Sequence, residues 1–351
     1  MEKINVVVFF GGCSPEYSVS LSSASGVVLN LDRDKYNPLM VGITQEGCWY
    51  YYRGPVEKLL NDTWHNPQDC TPVVVSPNRG DRCLILLKEG DLERVPVDAA
   101  LPVLHGQNGE DGTIQGLLEL AGIPLAGCGT LASALGMDKD RAHKLVSLAG
   151  VRVPRHFVME RHTALEEAEA FAESLGYPLY VKPVKAGSSY GITKISQKAH
   201  LSAAVSLAFE YDNQVILEEN IPGFEVGCAV LGGRDLVVGE VDEIELSGGF
   251  FDFTEKYTLK TSAIHVPARI SPEKAAEIKE KAKVIYRALG CSGFTRVDMF
   301  LTPDGEVIFN EINTIPGFTE HSRYPGMMKA AGHSFREVLS MIIDQALAVQ
   351  E

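Results

Sequence analysis

Apolar runs alternate with stretches of helical spacing along the first 125 or so residues. INVVVFF (4–10) is short and β-branched with no polar break, the pattern of a strand covered on both faces. Gly11 and Gly12 then lead into SVSLSSASGVVLNL, whose apolar positions recur at helical intervals. NPLMVGIT (37–44) and AALPVLHG (99–106) predict further strands and DGTIQGLLELAG (111–122) a helix, so an α/β unit built on a Rossmann-like parallel sheet is expected. LASALGMDKDRAHKLVSLAG predicts one long helical stretch, and the pattern changes at Val153 and Pro154, which places a boundary near residue 129. Helix ALEEAEAFAESLG, strands at 179–184 and 191–195, helix LSAAVSLAFEYD and strand QVILEEN then describe a compact α+β unit ending near Pro222 and Gly223. Strands FEVGCAVLGG, DLVVGEVDEIEL, GFTRVDMFLT and EVIFNEIN follow, with helix PEKAAEIKEKAKVIYRALG between them and two helices at the C-terminus. SGGFFDFTEKYTLKTSAIHVPA has no clean period, and a long irregular insertion in a compact domain is usually a functional loop, here one expected to cover a site.

Composition narrows the classes. With 45% hydrophobic and 22% charged residues in 351, the chain is an ordinary globular protein long enough for two or three domains. A net charge of -14 argues against an extended nucleic-acid partner, which would need clustered Lys and Arg, but a nucleotide needs only a few local cations and a metal. The first apolar run is too short for a signal peptide or a membrane span. Cys13, Cys48, Cys70, Cys83, Cys128, Cys228 and Cys291 are odd in number and form no CxxC pair, which predicts reduced thiols in a cytoplasm.

Six segments carry candidate chemistry. In GFTRVDMFL, Arg296 and Asp298 share a strand face, and in VIFNEINTIPG, Glu311 and Asn313 repeat the spacing. The turn T-P-D-G joins the two as a hairpin, which would gather two carboxylates and an amide oxygen suited to Mg²⁺ shared with a polyphosphate; a solvated hairpin face is the alternative. YVKPVKAGSSYGI puts Lys182 on a strand before a Gly/Ser loop whose N–H groups could close over phosphates, or which is an ordinary turn. It does not match the GxxxxGK[ST] loop. VILEENIPGFEVG supplies Glu218, Glu219 and Glu225 around a turn that suits a nucleoside pocket, or that faces solvent. Glu16 follows the Gly-Gly turn at the carboxyl end of the first strand, where α/β sheets bind ligands, and His105 ends another strand before Glu110 and Asp111; helix capping and a structural loop are the plainer readings.

Taken together, HGQNGEDGTIQG, ALGMDKDRAHK, VKPVKAGSSYG, FDFTEKY, TRVDMF and FNEINTIPGFTEHSRYP resemble, in order and over essentially the whole chain, the D-alanine:D-alanine ligases and their vancomycin-resistance relatives. The resemblance implies a three-domain ATP-grasp fold: an N-terminal domain (1–129), a central domain (130–222) and a C-terminal domain (223–351) carrying a covering loop at 248–261. It further implies ATP with two Mg²⁺ ions, replaceable by Mn²⁺, two D-amino acid substrates and a homodimer. Lys139 and Lys182 resemble the family's phosphate-binding lysines, with Ser188, Ser189 and Lys256 in segments that close over the nucleotide. Glu218 and Glu225 look like its adenosine contacts, and Asp298, Glu311 and Asn313 like its metal ligands. Arg296 and the Gly317 amide resemble the oxyanion site. Glu16, with His105 nearby, matches the anchor of the first ammonium group, and Glu16, Ser188 and Tyr257 a hydrogen-bonded triad.

The implied second substrate is D-serine. EYSVS, FFDF and HSRYP, with Arg323 after Ser322, resemble the relatives that make D-alanyl-D-serine, and a guanidinium can hydrogen-bond a hydroxyl where an aliphatic side chain cannot. Arg323 could instead bind a carboxylate or a neighbouring acid, and an ordinary D-alanine:D-alanine ligase is the alternative. Tyr257 argues against the D-lactate class, and Glu320 departs from the small residue often found there. A dinucleotide-binding dehydrogenase is disfavoured because Gly11 and Gly12 are not followed by a GxGxxG pattern. A non-catalytic nucleotide-binding module is disfavoured because every implied metal and phosphate position holds a competent residue.

Overall fold

The computed structural model describes residues 3–187, 190–246 and 262–348. Its first sheet holds β1 (Ile4–Gly11), β2 (Tyr36–Ile43), β3 (Trp49–Tyr52), β4 (Cys70–Val75), β5 (Cys83–Lys88), β6 (Asp91–Pro96) and β7 (Ala99–Pro102), in the order β6-β5-β4-β3-β2-β1-β7. Helices α1 (Tyr17–Asn30), α2 (Glu57–Leu60) and α3 (Thr113–Ala121) accompany it. The unbroken apolar run of β1 has the expected cause: Val6, Val8 and Phe10 pack under α1, and Val7 and Phe9 pack under α3.

The parallel sheet expected from sequence is only the inner part of this one. β1 pairs in parallel with β2 and β7, but β2-β3-β4-β5-β6 is an antiparallel extension. The β5-β6 hairpin turns through Glu89 and Gly90, with Gly90 at φ +74.

After α4 (Thr130–Met137) comes α5 (Lys139–Leu148), where one long helix was expected. Asp138 divides them. Its backbone is extended and its side chain accepts from Arg141 N–H, so it caps α5 and points Lys139 out of the first turn. The second sheet, β10-β9-β11-β8, comprises β8 (His156–Glu160), β9 (Leu179–Pro183), β10 (Thr193–Ile195) and β11 (Gln214–Glu219). Val181, Val215 and Leu217 pack with α6 (Leu165–Leu175) and α7 (Leu201–Ala208), which leaves Lys182, Ile216 and Glu218 on the other face.

The third sheet has the order β14-β13-β12-β15-β16 and is wholly antiparallel, from β12 (Phe224–Gly232), β13 (Leu236–Leu246), β14 (Ser262–His265), β15 (Gly293–Leu301) and β16 (Val307–Asn313). Helix α8 (Pro272–Ala288), capped by Ser271, covers one face; α9 (Arg323–Ala330) and α10 (Phe335–Ala348) lie toward the other. A bulge in β16 decides which residues face where. Asp298 pairs with Glu311 but Met299 pairs with Phe309, so Asn310 is the extra residue. The core therefore receives Val307, Phe309 and then Ile312, while Glu311 and Asn313 turn to the opposite side. Regular alternation would have put Glu311 on the same face as Phe309.

Candidate active site

One row of residues crosses the third sheet at the level of the bulge. Asp242, Gly227, Asp298 and Glu311 are successive partners on β13, β12, β15 and β16. Asp298, 1% exposed, holds Arg296 through bonds from Nε (2.9 and 3.1 Å) and Nη2 (2.7 Å) and accepts from Asn313 Nδ2 at 2.9 Å. Arg323 enters this row from the start of α9. Its Nε and Nη2 pair with Asp242 at 2.7 and 2.8 Å, Nη1 with Glu225 at 2.7 Å, and Nη2 approaches Asp298 at 3.3 Å. Gly227 makes room for it, since a Cβ there would lie 2.4 Å from Nη2. Burial opposes the charge on Arg323, but Asp242, Asp298 and Glu225 outweigh it and hold the pKa far above the usual arginine value.

The first sheet delivers Glu16 and His105 to the same cavity. Ser14 Oγ accepts from the Glu16 N–H at 2.9 Å and donates to the His105 carbonyl at 2.8 Å, which ties the two loops together. Gly106, at φ +74, is the residue that fits beside Glu16, because a Cβ on it would lie 2.4 Å from Oε2. His105 itself spans two sheets, its Nδ1 donating to Ile315 O at 2.9 Å and its Nε2 accepting from Ser23 Oγ at 3.0 Å. Burial pulls its pKa down to about 4, against the opposing effect of the Ile315 bond.

From the second sheet, Lys182 forms a very short bond to Glu218, both buried, and Gly187 brings the Gly/Ser loop beside the Glu16 carboxylate. Lys139 Nζ donates to Ala186 O at 2.9 Å, so α5 supports the start of that loop. The resulting cavity measures about 550 Å³ and is lined by Glu16, His105, Lys139, Arg296, Glu311, Asn313, Gly317, Ser322 and Arg323. Asp298 and Glu225 sit behind that wall, joined to its arginines, while Lys182 and Glu218 lie at the joint of the second and third sheets. Ser322 Oγ pairs with Thr319 N–H and Oγ1 at 3.0 and 2.8 Å, beside Gly317, and Glu320 is exposed. Ser188, Ser189, Lys256 and Tyr257, and with them the covering loop, lie outside the described residues.

The metal expectation can be tested on the donors. No group of three His, Cys, Asp or Glu is placed to hold a metal ion among the described residues. The row offers two carboxylates, Asp298 and Glu311, with the amide of Asn313. That set fits Mg²⁺, which keeps several waters and takes one or two protein carboxylates plus substrate phosphates.

Two acidic residues of the site were not singled out as site residues by the sequence reading. Asp242 is fully buried under Arg323 but lies in the acidic alternation VDEIEL, where nothing marks one carboxylate from the next. Glu110 was read only as a helix-start residue. It lines the cavity and accepts from Gly106 N–H at 2.9 Å and Ile315 N–H at 3.0 Å. Burial and then the charge of Glu16 push its pKa up to about 8. No helix among the described residues is long and apolar enough to cross a membrane.

Known proteins match this chain over essentially its whole length. Residues 5–128 match the family model described as the D-ala D-ala ligase N-terminus, and residues 145–344 the model of its C-terminus. A crystal structure of the VanG D-Ala:D-Ser ligase from Enterococcus faecalis superposes with a TM-score of 0.91 at 56% identity, covering 98% of this chain and all of that one. A putative D-alanine–D-lactate ligase of Streptomyces coelicolor is 45% identical and a D-alanine–D-alanine ligase of Caldicellulosiruptor bescii 40% identical; each alignment covers 99% of this chain, with 99% and 96% of the relative. Family models, relatives and fold agree: the chain belongs to the D-alanine:D-alanine ligase family and is an ATP-dependent ligase of the ATP-grasp fold.

Proposed function

We propose that this enzyme joins D-alanine to D-serine, with ATP converting the first carboxylate to an acyl phosphate, and that it serves peptidoglycan precursor synthesis and vancomycin resistance. The observation that carries D-serine is Arg323. A guanidinium has five N–H donors, and four are directed at Asp242, Glu225 and Asp298. One Nη1 hydrogen remains without a recorded acceptor among the described residues, on a side chain that lines the cavity. A substrate hydroxyl is the acceptor it suits, and the VanG relative carries D-serine in its name.

The remaining residues divide by chemistry. Glu16 holds the first ammonium group, with His105 and Glu110 fixing the loop beside it. Lys139 and Lys182 offset charge on the phosphoryl group, Ser188, Ser189 and Lys256 close over it, and Glu218 and Glu225 face the nucleoside. Two Mg²⁺ ions, or Mn²⁺, held by Asp298, Glu311 and Asn313, would neutralise phosphate charge. Arg296 and the Gly317 N–H stabilise the tetrahedral oxyanion formed when the second amine attacks. The 248–261 loop with Tyr257 excludes water from the acyl phosphate. The chain divides into three domains at about residues 129 and 222, a division that the three separate sheets support, and acts as a cytoplasmic homodimer.

A competition reaction tests this reading: ATP, Mg²⁺ and equal D-alanine and D-serine, with products resolved by mass. D-alanyl-D-serine should predominate, and Arg323→Leu should move the product toward D-alanyl-D-alanine. Predominant D-alanyl-D-alanine from the natural chain would leave an ordinary D-alanine:D-alanine ligase; a D-lactate ester formed when D-lactate is added would contradict the role given to Tyr257.

A further inference from the structure

The segment that leaves the first sheet lies against the start of β15. A Cβ on Gly293 would sit 2.6 Å from Gly127 Cα, so the two backbones touch, and Ser292 Oγ donates to Gly127 O at 3.1 Å. This contact brings two of the seven cysteines together. Cys128 is buried and its Sγ donates to Ser292 O at 3.1 Å; Cys291, half-buried in the turn between α8 and β15, donates its S–H to the Cys128 sulfur. Tyr286 senses both thiols: burial first, and then the charge either would carry, resist its ionisation. A cavity of about 300 Å³, separate from the one described above, is lined by Gly127 and Gly129 on either side of Cys128 and by Ser292 and Gly293 just after Cys291. A small molecule thus has a way to the pair.

Two thiols in contact on different units are the reactants of a cross-link. We propose that Cys128 and Cys291 are an oxidation site, which hydrogen peroxide closes to a disulfide that bolts the end of the first domain to the root of β15. Peroxide transfers one oxygen to the sulfur of Cys291, the more accessible of the two, leaving a sulfenic acid and one water. The Cys128 sulfur then displaces the hydroxyl, forming the S–S bond and a second water, so that two electrons and both thiol protons pass to the peroxide. At rest the pair is reduced. The hydrogen bond to Cys128, and then burial, hold the Cys291 thiol well above its ordinary pKa, and little thiolate exists at neutral pH. Tyr286 and Tyr324, the titratable groups that face the pair, stay protonated because burial raises them further still. The site therefore closes under sustained oxidant and survives brief exposure as a dithiol, as a reducing compartment requires.

The test treats the dilute full chain with hydrogen peroxide and then blocks the remaining thiols with iodoacetamide. The product should be lighter by two hydrogens before alkylation, its peptide map should join Cys128 to Cys291, and dithiothreitol should reverse both. The bridge closes the long loop from 128 to 291 in the unfolded chain, so Tm should rise by about 5 °C on oxidation. That rise should vanish in Cys128→Ser and in Cys291→Ser. Cross-linking should quicken about tenfold per pH unit from pH 7 to 8.5, because the thiolate is the reacting form. Oxygen added to Cys291 with Cys128 still open to alkylation, or a Tm rise that persists in either variant, would overturn the proposal; a rate indifferent to pH would overturn Cys291 as the thiol attacked. The peptide map needs only the natural chain, so it decides the matter even where a variant fails to fold.

Discussion

The third sheet meets its two neighbours in opposite ways. Toward the first sheet the joint is apolar and shared: Val6, Val8 and Phe10 belong to one continuous core with Ala229, Leu231, Phe294, Phe318, Tyr324 and Met327. Toward the second sheet the joint is polar. There Arg152 pairs with both Glu219 at the end of β11 and Glu306 beside β16, and Lys182, bonded to Glu218 within the second sheet, is influenced by the charge of Glu311, while the second sheet keeps a separate core of its own. A shared core makes two units open together, whereas a polar joint lets one unit open without exposing the other's apolar surface. The first and third sheets thus form one body to which the second is joined through polar contacts, and Lys182 and Glu218, proposed above to serve the nucleotide, lie on the second sheet.

Four experiments break or sharpen that contrast. The largest effect is expected at the apolar joint. Phe318 is buried against Phe294, Tyr324 and Phe335, and Phe318→Ala should cost about 4 kcal/mol in denaturant unfolding, with the first and third sheets melting in one transition. Two separate transitions would disprove the shared core. At the polar joint, Lys182→Ala leaves Glu218 buried and unpaired and should cost about 3 kcal/mol. Hydrogen exchange should show that loss in β9 and β11 rather than in β1.

A pH titration tests the clasp on Ile315 and comes next in size. The His105 pKa is depressed to about 4, so its contribution is complete above its ordinary value of 6.5 and fades as pH falls toward 4, by at most about 3 kcal/mol. Glu110 acts in the reverse sense: its pKa is raised from 4.5 to about 8, so its contribution is complete below pH 4.5 and fades as pH rises through 8. His105→Asn should flatten the acid limb of the stability profile and Glu110→Gln the alkaline one; either substitution leaving both limbs as they were would refute the clasp. The smallest effect belongs to Arg152, whose side chain is 42% exposed. Arg152→Ala should change stability by about 0.5 kcal/mol, and a loss several times larger would mean that the polar joint is held by this ion pair.

Much of this was legible in the sequence, and the exceptions have physical causes. The β1-α1 unit and the 293–313 hairpin follow from periodicity and spacing, because each depends on neighbours in the chain, whereas Glu311 and Asn313 share the face of Asp298 only through the bulge at Asn310, which periodicity does not show. WYYY and DLERVP do not show as strands in the sequence: the first is four aromatic residues in a row and the second a mostly polar edge, so neither shows alternation. The turn Glu89-Gly90 between CLILLK and DLERVP is a usable signal for the second. Asp242 and the bond from Glu110 to Ile315 N–H could not be read, since each takes its meaning from a partner more than 80 residues away. The competing uses of Arg323 stayed open in the sequence because an arginine beside an acid and one beside a hydroxyl are spelled the same way.

The bulge at Asn310 gives β16 an unusual relation to mutation. Upstream of it the strand is read by the core, downstream by the cavity, and one uncounted residue separates the two frames. Substitutions at Val307 or Phe309 alter packing and leave the donors where they are. Deleting Asn310 would turn the segment into a regular strand with Glu311 and Asn313 still toward the cavity and Ile312 still in the core, whereas flattening the bulge with every residue kept would drive Glu311 and Asn313 into the core and Ile312 into the cavity. What this edge of the sheet conserves is the phase of its side chains, and the bulge is the residue that phase does not count.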